Sequence, residues 1–357
     1  MKSRVQKDNY VYIHGSGRSG RPEKINITDV GTLRSTITVG NGGDFPDLQS
    51  AFNRLATLKS ELNSDVTIKI LSGTIMKRPL HLANGDYSFI TIISEDRVVD
   101  DGEGPDLVIE NSILVSREDI KNFYDQLNDP RFGDTNRPFI YLNNVRGPNI
   151  ETYFILDASG DFETPNTGDG HIGALLDNNS SMVSIPVNEI ETPDRKTGFA
   201  NFNYIGVNIK NNSNLTANKN FSVSGVGGLG NGPGRGGLEF DIGSTAFGIG
   251  SGISVRNGST LLMTDGESIG NFGSNVFSDC GTVVLIDGNL INSSRIGLEL
   301  VGASVAKIKS GSFGGDTNDM TAQDSFIMVS QLSFVSLNVD INNSISNITM
   351  GGETGQT

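Results

Sequence analysis

The sequence predicts an all-β fold in the form of a parallel β-solenoid, with a helix near its start and a short N-terminal arm. Three observations carry this expectation. Turn-forming residues are in surplus, a repeat of fixed length runs through the second half, and an amphipathic helix precedes two alternating strands. The chain has 357 residues, of which 45 are Gly and 11 Pro, with one Cys and no Trp. Average Gly usage is about 7%; here it is nearly double, and Asn is also abundant. Such a chain is too rich in turn formers for long helices, yet its Val, Ile and Leu recur too regularly for disorder. At this length it buries a substantial core.

Composition also removes whole function classes. The formal charge is −14, from 27 Lys and Arg against 41 Asp and Glu. Phosphate binding needs a cationic surface, so no nucleic-acid partner is expected. A single Cys excludes a disulfide framework and a cysteine zinc site. No run of about 18 apolar residues exists, so no membrane insertion is expected. The start, MKSRVQKDNYVYIHGSG, lacks the apolar segment of a secretory signal.

The elements follow in chain order. Residues 1–35 carry little periodicity, and HGSGRSGRPEK at 14–24 is Gly-rich and basic. It reads as an arm that docks to a larger particle, or as a leader. STITVGNGGDFPDLQSAFNRLATL then reads as a strand over 36–39, a Gly turn and a helix. Asp44 is the expected N-cap, with Pro46 in the first turn and Asp47 at the capping-box position. Leu48, Ala51, Phe52, Leu55 and Leu58 share one helix face. A solenoid has open ends that expose its core, so an amphipathic helix over the first rung is what the architecture demands. Strands are expected at 66–71 and 89–93. A second helix near 117–128, in SREDIKNFYDQLNDP, has Ser116 as cap and Asp119 three residues on. Its stripe is Ile120, Phe123, Tyr124 and Leu127, with Pro130 just beyond its end.

The repeat reads GALLDNNSSMVSI from Gly173, GVNIKNNSNLTA from Gly206 and GISVRNGSTLLM from Gly252. Weaker copies start at Asn275, Gly297 and Phe326. Equivalent positions are Asn214, Thr260, Thr282, Ser304 and Ser333, separated by 46, 22, 22 and 29 residues. The expected unit is therefore about 22 or 23 residues, with two units in the first gap and an insertion in the last. Each unit offers short alternating strands broken by residues that tolerate left-handed backbone, notably Asn211, Asn212, Asn257 and Gly258. One unit cannot bury its apolar face alone, but stacked copies at about 4.8 Å per rung can. An antiparallel sandwich is the competing reading, but it predicts hairpin turns rather than a fixed repeat.

Inserts interrupt the repeat at 157–171, 184–197 and 225–237. The glycine segment GVGGLGNGPGRGG has neither the strand-to-helix context nor the Lys of a phosphate loop. Glycan hydrolysis needs two carboxylates about 5–10 Å apart. The densest acidic set is Asp157, Asp161, Glu163, Asp169 and His171, with Tyr153, Phe154 and Phe162 as stacking surfaces for sugar rings. Asp157, Asp161 and Asp169 are the catalytic candidates, and Tyr153, Phe162, Glu163, His171, Glu239 and Asp241 the substrate-binding ones. Glu239 and Asp241 flank Phe240 in alternation and point outward from one strand. The structural alternative for both groups is a solvated acidic surface. A lyase would need cations by the substrate carboxylate, and Lys210, Arg256, Arg295, Lys307 and Lys309 are few. Histidines at 14, 81 and 171 have no zinc spacing, and DTNDMTAQD at 316–324 lacks the sixth-position Gly and closing Glu of an EF-hand loop. Neither a metal nor a cofactor is expected. Cys280 reads as a packing residue in a bend.

The string GDFPDLQSAF, followed by VTIKILSGTI and FITIISED, resembles the opening of right-handed parallel β-helices of the pectin-lyase-like superfamily. The likeness to pectinesterases fades after about residue 95, and their paired catalytic aspartates and Arg-Pro-Trp segment have no counterpart. What remains is similar to bacteriophage tail spikes and tail fibres. That resemblance implies a right-handed β-helix over 36–350, an attachment arm at 1–35 and a C-terminal tail at 351–357. It further implies a homotrimer in a virion tail, made in the host cytoplasm, with tail or baseplate proteins and a host surface glycan as partners. A polysaccharide depolymerase and a purely structural virion component are the alternatives.

Overall fold

In the computed structural model the described residues are 36–58, 65–99, 108–133, 136–157, 170–186, 195–227, 250–293 and 295–329. Strand backbones at 6–7, 10–13, 23–26, 333–334, 339–342 and 345–348 are also described. The short strands at 6–7, 10–13 and 23–26 form a small antiparallel sheet of their own.

Among the described residues from 36 onward the strands form a parallel β-helix through three sheets, here called I, II and III, apart from the antiparallel pair Arg97–Val99 and Val108–Glu110. One coil shows the path. Ser251–Arg256 lies in sheet II, Thr260–Thr264 in sheet I and Glu267–Ile269 in sheet III. The next coil repeats it with Val276–Asp279, Thr282–Ile286 and Gly288–Ser293, each pairing in parallel with its counterpart. The long strand Arg137–Glu151 turns a corner. Its first half pairs with Leu80–Asp86 and His171–Asp177 in sheet II, and its end pairs with Ile90–Ser94 and Ser181–Ser184 in sheet I.

Period-two alternation places one apolar side chain of each pair inside. Met182, Leu215, Leu261, Val283, Ala306 and Ile327 stack through consecutive coils of sheet I, all buried. Phe154 and Phe199 do the same in sheet III, stacked at 5.9 Å. Burying such a side chain stabilises by about 1.5–3 kcal/mol, and only the stack supplies the covering surface.

The corner between sheets II and I explains the asparagines. Asn178, Asn179, Asn211, Asn212 and Asn257 all have positive φ. Their short amides suit this conformation and bond along the stack: Asn257 Nδ2 donates to Asn211 Oδ1 at 3.1 Å, and Asn211 Nδ2 to Asp177 Oδ1 at 2.7 Å. A buried serine ladder runs beside them. The Val145 N–H donates to Ser180 Oγ, that of Ser180 to Ser213 Oγ, and that of Ser213 to Ser259 Oγ, each at 3.1 Å.

Pairing corrects the repeat register. Asn214, Thr260, Thr282, Val305, Phe326 and Ile345 are the equivalent residues, separated by 46, 22, 23, 21 and 19. The strand Asn214–Ala217 pairs directly with Thr260–Thr264, so the 46-residue gap is one coil with a long insert rather than two units. Ser304 belongs to the serine ladder one position earlier, where its Oγ accepts from the Gly281 N–H at 3.4 Å. Ser333 pairs with Ser312 in sheet III, and no insertion separates the last repeats. The frame is ambiguous in the sequence because the ladder serine and the first strand residue stand side by side, as Ser259 and Thr260 do.

Both helices are present, with adjusted ends. Helix α1 spans Leu48–Leu58 and buries Leu48, Ala51, Phe52 and Leu55 against strands Thr36–Val39 and Leu80–Asp86. Its N-cap is Asp47, whose Oδ1 accepts from the Ser50 N–H at 2.7 Å. Asp44 instead accepts from the Thr38 N–H at 2.8 Å, bracing the preceding turn. Helix α2 spans Arg117–Leu127, with Ser116 as N-cap and Asn128 in left-handed conformation at its end. Ile120 and Tyr124 are buried, whereas Leu127 is exposed. The segment read against a calcium loop is largely a strand, Asn318–Gln323, with Asp319 buried. No helix among the described residues is long and apolar enough to cross a membrane.

Candidate functional site on the outer surface of sheet III

The inserts are not spread evenly around the coil. Helix α2 and the segments 158–169 and 228–249 all leave at the corner from sheet III to sheet II. The segments 95–111 and 185–196 leave at the corner from sheet I to sheet III. Sheet III therefore lies between the two inserted edges. Sheet II is covered at its start by α2, through an aromatic cluster of His81, Phe123, Tyr124, Phe132 and Tyr141. Tyr124 Oη donates to the Pro138 carbonyl at 2.6 Å, so it accepts from His81 Nε2–H, also at 2.6 Å. Burial lowers the His81 pKa to about 4, so near neutral pH its ring is uncharged and Nε2 carries the proton that this bond requires.

The outer side of sheet III is built differently. Tyr153 and Phe154 are neighbours on one strand, and the pleat sends them to opposite faces. Phe154 is interior, between Phe139 and Phe199, so it is not a sugar-stacking surface. Tyr153 is outward and half-buried. Its Oη meets Ser224 Oγ at 2.7 Å. Ser224 lies two strands further along the sheet, about 10 Å away at about 4.8 Å per strand. The phenol ring must therefore lie along the sheet, crossing the strand Thr197–Ala200. That strand offers Gly198 and Ala200 outward beneath it. Ala200 is only 5% exposed although its methyl faces out, as expected under a ring. Gly198 has φ +129°, and a Cβ there would lie 2.2 Å from the Ser222 carbonyl oxygen.

Charged groups stand at the edge of this ring. Lys196 Nζ bonds Glu267 Oε1 at 2.9 Å, and Ser222 Oγ donates to the same oxygen at 2.7 Å. Burial alone pulls the Lys196 ammonium down, but the bonded Glu267 carboxylate and nearby Tyr153 outweigh it, so the Lys196 pKa is raised. The backbone of Lys196 is held by the buried Asn111 side chain, which accepts from its N–H at 3.3 Å and donates to its carbonyl at 2.7 Å. Beside it Arg195 bridges Asp96 at 2.8 Å and Glu151 at 3.1 Å. Burial raises the Glu151 pKa against the opposing pull of Arg195.

Of the sequence candidates among the described residues, Tyr153 alone sits in this arrangement. Asp157 follows the same strand, with its N–H donating to the Val115 carbonyl at 2.8 Å. His171 opens the sheet II strand next to Arg137 and is fully buried, its N–H donating to Asn203 Oδ1 at 2.7 Å. The structure thus gives His171 no open surface from which to touch a sugar. Asp161, Phe162, Glu163, Asp169, Glu239 and Asp241 lie outside the described residues. Lys196, Ser222 and Glu267 were not foreseen. They are distant in sequence and meet only through strand pairing, so no local motif marks them. Among the described residues no three His, Cys, Asp or Glu side chains gather as metal ligands. Cys280 stands exposed in a bend, its thiol pushed up by its bond to Asp279. No family model matches the chain, and no curated protein has a significantly similar sequence.

Proposed function

We propose that this chain is a receptor-binding subunit of the phage tail-spike or tail-fibre type, which recognises host surface polysaccharide on the outer face of sheet III. The observation that carries the reading is the Tyr153 ring laid across Gly198 and Ala200, with the Lys196–Glu267 pair at its edge. An aromatic face beside polar groups, on a rigid sheet, is a general solution for binding pyranose rings, whose carbons stack while their hydroxyls bond. In this reading the chain is a virion protein, docked to tail or baseplate proteins and assembled as a homotrimer.

The test is binding of purified protein to capsule and lipopolysaccharide fractions from a panel of bacteria, followed by a reducing-end assay. Saturable binding to one fraction, without release of oligosaccharides, is the expected result. Oligosaccharide release would replace the binder with a depolymerase. Absence of binding to every fraction would leave only a structural component.

A further inference from the structure

Resting on that reading, we infer that the sheet III surface selects a neutral pyranose carrying adjacent hydroxyls, stacked on Tyr153 and bridged by Glu267 and Lys196. The geometry of the ion pair leads to this class. Both bonds received by Glu267 end on Oε1, one from Lys196 and one from Ser222. Oε2 accepts no hydrogen bond among the described residues, and the Glu267 side chain is 25% exposed. An ionised carboxylate oxygen held in this way is an acceptor set in position for a ligand hydroxyl. Lys196 spends one donor on Glu267, and its side chain is 48% exposed, so further donors face outward beside that acceptor. Neighbouring hydroxyls on a sugar ring present one donor and one acceptor side by side, which matches this arrangement.

Charge decides against acidic sugars. The pair is neutral as a unit, and the chain carries −14. A uronate stacked on Tyr153 would bring its carboxylate against Glu267 Oε2, and Lys196 beside it is already bonded to Glu267. A hydroxyl at the same place gains a charge-assisted bond. Ser222 is a positioning residue: it is buried, and its hydroxyl holds Oε1 and leaves Oε2 for the ligand.

The test is titration calorimetry of the full chain with neutral gluco-, galacto- and manno-oligosaccharides and with oligogalacturonate. Tyr153→Ala, Tyr153→Phe, Glu267→Gln and Ser222→Ala are compared, with circular dichroism and thermal melting as folding controls. One neutral series should bind, and oligogalacturonate should bind at least about 10-fold more weakly. Tyr153→Ala should lose neutral binding by about 10-fold or more, whereas Tyr153→Phe keeps most of it because the ring remains. Glu267→Gln should weaken neutral binding and narrow the gap to oligogalacturonate, a change in selectivity that mere destabilisation would not produce. Stronger binding of the uronate, or unchanged binding in folded Tyr153→Ala, overturns this inference while the polysaccharide-receptor reading stands. Failure of every envelope fraction and every oligosaccharide to bind overturns both.

Discussion

Between residues 250 and 329 the coils are nearly bare: each strand is followed by a bend of a few residues and the next strand, and the pairing register advances by 21 to 23 residues. Between residues 65 and 227 the same three sheets continue, but their corners carry α2 and most of the inserts. The interior is alike in both regions, with aliphatic ladders inside and polar ladders at the corners. The outside is not. The Tyr153, Lys196 and Glu267 arrangement begins in the inserted region and ends where the bare coils start. The difference teaches that in this fold regularity serves the stack, while irregular coils supply what the surface does, because only an interrupted corner frees side chains from the repeat.

The largest expected effect breaks the comparison if it fails. Phe199→Ala removes a fully buried ring packed against Phe154 and Phe202 in the inserted region. It should destabilise by about 3–5 kcal/mol in urea unfolding. If the two regions form one cooperative stack, the whole transition moves. Two resolved transitions, of which only one shifts, would show that the bare coils fold alone.

Acid should act first on the inserted region. The His81 pKa is lowered to about 4, first by burial and then by Arg131 and Arg78, against the ordinary 6.5. Between those values the unfolded chain binds a proton that the folded chain refuses, so stability falls as pH drops from about 6.5 to 4. The loss amounts to about 3 kcal/mol at most. Asp129, held down to about 2 by its bonds to Arg131, acts in the same direction but lower on the pH scale. Its contribution is lost only below about pH 4. Thermal melts of wild type and His81→Phe across pH 7 to 4 separate the two. The variant keeps an aromatic ring in the cluster, and its curve should be flatter down to pH 4. Parallel curves would exclude His81 as the source.

A smaller effect tests the shared corner. Ser259→Ala leaves the buried Ser213 N–H without its acceptor and should cost about 1–3 kcal/mol in the same urea assay. Thr260→Ala, one residue on and facing outward, should fall within about 0.5 kcal/mol of wild type. Equal effects would mean that the ladder lies in the register first expected from sequence.

Legibility followed chain distance. The apolar alternation, the Asn bends and both amphipathic helices were readable because each is a property of a few consecutive residues. Asp44 and Asp47 were interchanged because both precede the helix, and only the bond to Ser50 N–H distinguishes the cap. Ser304 reads one position out of register because ladder and strand positions are adjacent, as at Ser259 and Thr260, and Ser333 belongs to a different sheet. Tyr153 and Phe154 read alike in the sequence, as stacking surfaces beside the acidic insert, and only the pleat separates them by sending Phe154 inside.

By itself the sequence determined the parallel coil, since a repeat of about 22 residues with period-two alternation buries its apolar side only by stacking. It also determined the corner chemistry, because positive φ selects Asn and Gly wherever the chain must turn sharply. Only the tertiary structure decided which residues share the outer face of sheet III. Lys196 and Glu267 are 71 residues apart along the chain and 2.9 Å apart in space. Their meeting depends on which strands pair across the inserts between them, and no local propensity encodes that pairing.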